Sequence, residues 1–85
     1  MEKSLSLVLR QFMPKLGVFS GKEICDLLES EGFLQVRQKG SHIIMQKANV
    51  NGTITVPVPN HRTIKIGTLQ SIIRQSGLSR EFFQK

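Results

Sequence analysis

His42 is the side chain of this 85-residue sequence that is best placed for chemistry on a phosphate ester. It directly follows Lys39-Gly40-Ser41, and backbone amides in a glycine turn can point at an anion. Arg37 and Lys39 would then hold phosphate beside the imidazole. Such an imidazole can accept the proton of an RNA 2′-hydroxyl or protonate a leaving 5′-oxygen. The pattern indicates a general acid–base, although a histidine that only hydrogen-bonds at a strand start would have the same neighbours.

A second set of polar residues could extend this site. His61 is a candidate for the other half of an acid–base pair or for a phosphate contact, and the alternative is an ordinary loop histidine. Lys65 lies just ahead of a predicted helix, where a cation beside the helix N-terminus favours phosphate, unless it is simply solvated. Lys47 joins the two cations above as a predicted phosphate ligand, and Gly40 and Ser41 are predicted to contact RNA through their turn.

The sequence offers no sign of a metal or cofactor site. Cys25, His42 and His61 share no ligand spacing, and no carboxylate is close to either histidine in sequence. The glycines of the basic half are isolated, so no phosphate-cradling loop is predicted. We therefore expect chemistry without metal or cofactor. The lone cysteine cannot form an internal disulfide, which is typical of a reducing compartment.

The net charge of +6 is unevenly distributed along the chain. Residues 32–80 contain no acid, whereas seven cations fall there: Arg37, Lys39, Lys47, Arg62, Lys65, Arg74 and Arg80. A nucleic-acid phosphate backbone binds such a surface through Coulomb attraction and counterion release. The pattern favours a polyanionic partner, and the alternative is a surface that is basic only for solubility.

Length and hydropathy restrict the class of protein further. A chain of 85 residues makes one small domain, and 39% apolar residues are enough for its core. No run of 18 apolar residues occurs, so no membrane span is predicted. Residues 5–9 are too short for the apolar part of a signal peptide. We expect a cytoplasmic protein.

Two helices and a final turn can be predicted from apolar spacing and end signals. Residues 20–23 read as a capping box, and Gly32 as a left-handed stop, which places the first helix at about 21–31. The second helix should begin near Thr68 and end at Gly77. The phenylalanines at 82 and 83 should pack on the core from a final turn. Residues 1–19 are interpreted as an N-terminal extension and 20–85 as the domain.

Three strands are predicted between these helices, at residues 33–38, 41–47 and 53–58. The pair Asn51-Gly52 signals the second turn. Pro57 cannot donate a ladder hydrogen bond, so the third strand should lie at a sheet edge. Short connections predict a three-stranded antiparallel meander with two helices on one face, which is an α+β fold of order αβββα.

Taken together, these motifs resemble the HicA family of toxins. The resemblance covers residues 20–83 and rests on order and spacing: S-G-K-E with L-L-x-x-x-G-F, then K-G-S-H, then Pro59-Asn60-His61, then G-T-L with I-x-R-Q-x-G. It implies an RNA-cleaving toxin, an mRNA interferase, on a double-stranded-RNA-binding-like fold. It also implies a HicB-type antitoxin that forms a hetero-oligomer with the toxin. The family's catalytic histidine falls on His42.

Residues 68–71 lack the lysine cluster that a double-stranded-RNA-binding domain carries at the start of its second helix, so single-stranded or unpaired mRNA is the expected substrate. The sequence thus predicts a metal-independent endoribonuclease that uses a single histidine, His42. The alternative is a non-catalytic RNA-binding module that blocks translation by occupancy. A further alternative is a subunit whose basic face only meets an acidic protein.

Overall fold

Helix α1 spans Gly21–Ser30 and begins with the capping box that the sequence predicts. In the computed structural model, which describes residues 16–84, the backbone N–H of Glu23 donates to Ser20 Oγ at 3.1 Å. The N–H of Ser20 donates in return to the Glu23 carboxylate at 2.9 Å. The helix ends close to the predicted residue, and the chain leaves it through Gly32 with φ +94°. This left-handed conformation is the stop expected of a glycine there.

Strands β1 (Leu34–Lys39), β2 (His42–Asn49) and β3 (Gly52–Pro59) form one antiparallel sheet in the order β1-β2-β3. The predicted meander is therefore confirmed, and Pro57 lies on an edge strand as expected. The first hairpin turns through Gly40, whose φ of +60° suits the first position of a tight two-residue loop. The α+β class is likewise confirmed, with both helices packed in one core with the sheet.

The second hairpin differs by one residue from its prediction. Its two loop residues are Val50 and Asn51, while Gly52 is the first residue of β3 with φ +131°. The side chain of Asn49 accepts a hydrogen bond from the N–H of Asn51 at 2.8 Å. Asparagine side chains commonly bond the backbone in this way at turns. The observed turn lies one residue nearer the N-terminus than the predicted one.

Helix α2 (Ile66–Ser76) starts two residues before its predicted position and stops at Gly77, with φ +71°. A 3-10 turn at Arg80–Phe83 follows it. Phe83 is fully buried as predicted, whereas Phe82 is 42% exposed. None of the helices within residues 16–84 is long and apolar enough to cross a membrane.

The core lies between the helices and one face of the sheet. That face contributes Ile43 and Met45 of β2 and Val56 and Val58 of β3, all buried. The helices and flanking segments complete the cluster with Phe19, Ile24, Cys25, Leu28, Phe33, Ile64, Leu69, Ile72 and Phe83. Side chains of a strand alternate between faces, so the even-numbered residues of β2 point away from the helices.

The segment before α1 packs against the C-terminal turn. Leu16 forms a β-bridge with Gln84, and the N–H of Gly17 donates to the carbonyl of Phe83 at 2.8 Å. Phe19 is buried, with its ring 6.4 Å from that of Phe83 in an edge-to-face arrangement. Residues 16–19 of the predicted extension thus contact the domain, while its residues 1–15 lie outside the described part of the chain.

Candidate nucleic-acid interface

His42 is the first residue of the central strand, and its side chain is exposed. It pairs with Lys39 of β1 on one side and with Pro59 of β3 on the other. Directly opposed residues in antiparallel strands share a face. Because Ile43 points into the core, this row of three lies on the face opposite to the helices, which we call the outer face.

Arg37 lies in the next row of the outer face, opposite Ile44. The register between β1 and β2 shifts between Gln35 and Arg37, so that Val36 is the extra residue of a β-bulge. The bulge changes the alternation: Gln35 opposes Met45 of the core face, whereas Arg37 opposes a residue of the outer face. Arg37 is two residues from Lys39, the cross-strand partner of His42, so all three residues lie on the outer face.

The loop after β3 is bonded to the turn before His42 through one backbone hydrogen bond and is closed by a second one within itself. The N–H of Asn60 donates to the carbonyl of Ser41 at 2.6 Å. The N–H of His61 donates to the carbonyl of Pro59 at 2.9 Å, which closes a three-residue turn around Asn60. The segments that carry the two histidines are thus joined through main-chain bonds, and both imidazoles belong to exposed residues.

The start of α1 also contacts this loop. The N–H of Gly21 donates to the carbonyl of His61 at 2.8 Å. A β-carbon at residue 21 would collide with the carbonyl oxygen of Pro59, so the helix can approach the loop this closely only with glycine. From the sequence, Gly21 is predicted only to be part of the capping motif. No residue near Gly21 in the sequence indicates that the loop after β3 packs against its Cα, where a side chain would not fit.

Lys47 and Lys65 are placed apart from this group. Lys47 has the opposite parity to His42 on β2, and its Nζ lies 5.8 Å from the centre of the Phe33 ring on the core face. Five residues of strand also separate the two, about 16 Å at 3.3 Å per residue. Lys65 is the N-cap residue of α2 and is exposed, and it makes no side-chain capping bond. The structure does not bring Lys47 together with His42.

Charge is segregated by layer in this fold. The three strands, residues 34–59, contain no carboxylate. Helix α1, by contrast, carries Glu23, Asp26 and Glu29, and Asp26 pairs with Lys22 at 3.1 Å. Positive charge at the outer face is therefore not neutralised by an acid of the sheet. Such a surface attracts anions, most strongly at low ionic strength.

Cys25 of α1 is buried and belongs to the core. Burial raises the pKa of its thiol to about 11, and the carboxylates of Glu29 and Asp26 contribute in the same direction. A thiol with so high a pKa is a poor nucleophile, which agrees with a packing role. Within residues 16–84, no three His, Cys, Asp or Glu side chains are grouped as a metal site would require.

Apolar side chains also reach the surface of β1, which the sequence did not indicate. Phe33 is fully buried just before the strand, but Leu34 and Val36 are 69% and 49% exposed. Leu34 opposes Gln46, and it therefore belongs to the outer face.

Comparison with known proteins identifies one family. No curated protein matches the chain closely enough to serve as a relative. The sequence model of one family, described as HicA toxin of bacterial toxin-antitoxin, matches residues 21–78. The match runs from the first residue of α1 through the end of α2 and includes both histidine segments. The chain therefore belongs to the HicA family, the toxins of bacterial toxin–antitoxin pairs.

Proposed function

We propose that the protein is an endoribonuclease that cleaves mRNA in the cytoplasm, with His42 as its general acid–base. The observation that carries this proposal is the position of His42 on the outer face. Its exposed imidazole stands in one row with Lys39 and next to the row of Arg37, on a sheet without carboxylates. Membership in a toxin family supplies the biological setting.

The reaction that suits these residues is internal transesterification of RNA. The 2′-oxygen attacks the adjacent phosphorus, the bond from phosphorus to the 5′-oxygen breaks, and the products are a 2′,3′-cyclic phosphate and a 5′-hydroxyl. A proton leaves the 2′-hydroxyl and another is added to the 5′-oxygen, and either of these transfers is one that an imidazole can carry out. Arg37 and Lys39 would bind the phosphate, and the amides of Gly40 and Ser41 would lie at the turn beside it.

The remaining predicted contacts fit a longer RNA strand. His61 would contact the RNA close to His42, and Lys65 would contact a phosphate beside the scissile one. Lys47 would contact the strand only where it passes the far end of β2. We propose unpaired mRNA as the substrate, because α2 begins without the lysine cluster that clamps duplex RNA. A HicB-type antitoxin is the proposed partner, in keeping with the family.

The decisive experiment is incubation of the purified toxin with end-labelled RNA in EDTA, with His42→Ala as the comparison. We expect cleavage by the wild type and a rate lower by roughly 10²–10⁴ in the variant, which is the usual share of acid–base catalysis. A 2′-deoxy sugar at the cut should abolish cleavage. An alanine variant as active as the wild type would refute the assignment of His42.

A wild type that binds the RNA but forms no product would instead show that the protein is an RNA-binding module that acts by occupancy. A wild type that neither binds nor cuts RNA would leave only a protein-binding role for the basic face.

A further inference from the structure

We propose that His61 is the second proton-transfer group of this site, opposite in role to His42, and that Gly21 positions the loop that carries it. The inference rests on the proposed ribonuclease function and goes beyond the single-histidine reaction described above. The observation behind it is the set of main-chain bonds that connects the start of β2, the loop after β3 and the start of α1.

These bonds restrict the distance between the two histidines. Pro59 is the direct cross-strand partner of His42, and such partners have Cα atoms about 4.5–5.5 Å apart. His61 follows Pro59 by two residues, and each step along the chain is about 3.8 Å. The Cα atoms of His42 and His61 are therefore at most about 13 Å apart, and the tight turn around Asn60 shortens this distance. This separation is short enough for two exposed imidazoles to contact one phosphate.

The chemistry gives a reason for two groups. One imidazole, neutral, accepts the proton of the 2′-hydroxyl as the 2′-oxygen bonds to phosphorus. The other, protonated, donates its proton to the 5′-oxygen as the bond from phosphorus breaks. One proton is taken up and one is released, and exchange with water restores both groups. A single imidazole cannot serve both oxygens at once, since they lie on opposite sides of the phosphorus in an in-line attack. The sheet and the loop after it contain no carboxylate to fill the second role, and Glu23 at the start of α1 accepts the N–H of Ser20 in the capping box.

Gly21 is the residue that holds the loop in this position. Its N–H binds the carbonyl of His61, and any β-carbon would strike the carbonyl oxygen of Pro59. Gly21→Ala must therefore displace the backbone of the loop relative to α1. Gly67→Ala is the matched control, because a β-carbon at residue 67 meets no atom within 4 Å and the residue has ordinary backbone angles.

The first experiment compares His61→Ala and His61→Lys with the wild type on an RNA whose cut position has been mapped. We expect both variants to lose roughly 10²-fold or more in rate, as for removal of a general acid or base. Binding to the same RNA made non-cleavable by a 2′-deoxy sugar should stay within a few-fold for His61→Lys, because the cation is retained. A His61→Lys variant with wild-type rate would show that His61 only binds phosphate and would overturn the proposal.

The second experiment assigns the roles. In an RNA with sulfur in place of the bridging 5′-oxygen at the cut, the leaving group needs no proton. We expect one of the two variants, His42→Ala or His61→Ala, to recover on this substrate and the other to remain slow. The wild type should show a bell-shaped pH–rate profile that loses one limb in each variant. If neither variant recovers and His61→Ala keeps both limbs, the proposal is wrong.

Gly21→Ala should lower kcat by about 10-fold or more with little change in KM, while Gly67→Ala should match the wild type, because a displaced loop misplaces a reacting group. Equal kcat for Gly21→Ala and the wild type would remove Gly21 from the proposal. Failure of the proposed function is distinguishable from failure of this inference. An inactive wild type or an active His42→Ala variant would refute the proposed function, whereas an active His61→Ala variant would refute only the role of His61.

Discussion

The salt dependence of RNA binding should reveal which cations contact phosphate. Lys39 lies in the row of His42 and Arg37 in the next row, both on the outer face. Lys22, by contrast, belongs to α1 and is paired with Asp26 at 3.1 Å. We therefore expect Lys39→Ala and Arg37→Ala each to remove one phosphate contact, and Lys22→Ala to remove none.

The expected magnitude follows from counterion release. For a single strand each contact contributes about 0.7 to the slope of log affinity against log salt. Between about 50 mM and about 200 mM salt, one contact is therefore worth about 2.6-fold in affinity. Over this range of salt, the RNA affinity of the wild type should fall by about 2.6-fold more than that of Lys39→Ala or Arg37→Ala, whatever the RNA sequence.

Fluorescence anisotropy can measure these slopes with labelled RNA that carries 2′-deoxy sugars and is not cut. Lys47→Ala belongs in the same series, because it lies on the core face at the other end of β2. A slope reduced by Lys47→Ala would show that RNA extends past that end. If Lys22→Ala reduces the slope as much as Lys39→Ala, the binding is diffuse and the outer-face site is wrong.

Two other perturbations test neighbouring parts of the molecule. Lys39→Glu should weaken co-purification with the antitoxin, because it places a like charge against the antitoxin's carboxylates. Ser30→Lys on α1 should leave co-purification unchanged. If the Lys39→Glu variant is retained and the Ser30→Lys variant is lost, the antitoxin binds the helix side. Cys25 should react slowly with iodoacetamide at pH 8 in the folded protein and fast in urea, because burial raises its pKa from 9.0 to about 11. The folded state holds that proton more tightly, so its contribution to stability should fall as pH rises from about 9 toward 11, and fast alkylation of the native protein would contradict the burial.

Features that depend on a few neighbouring residues could be read from the sequence. The capping box at the start of α1 and the left-handed stops at Gly32 and Gly77 were predicted because each is a local backbone requirement. The first hairpin followed from Gly40 in the same way. The order of elements follows from these local signals, because short connections leave few ways to arrange three strands.

Features that depend on register could be predicted only in part. The parity of residues 42 and 47 already implies opposite faces, and this signal would have separated Lys47 from His42. The bulge at Val36 is different, because the extra residue is defined only by pairing with β2. The position of Leu34 on the outer face, opposite Gln46, follows from that bulge, whereas Arg37 lies on that face because it is two residues from Lys39. The contact of Gly21 with Pro59 is equally non-local, since it joins residues 38 positions apart.

From the segregation of charge we expect RNA and the proposed antitoxin to compete for one surface. The acids of α1 lie in the helix layer, and the sheet contributes only cations and neutral groups to the outer face. A polyanion and an acidic protein segment are attracted to that face by the same charges. Exposed Leu34 gives a protein an additional contact that phosphate cannot use, because apolar burial is insensitive to screening. Raising the salt should therefore weaken RNA binding more than antitoxin binding, and an antitoxin that also contacts Leu34 would keep the toxin inhibited where electrostatic attraction alone would not.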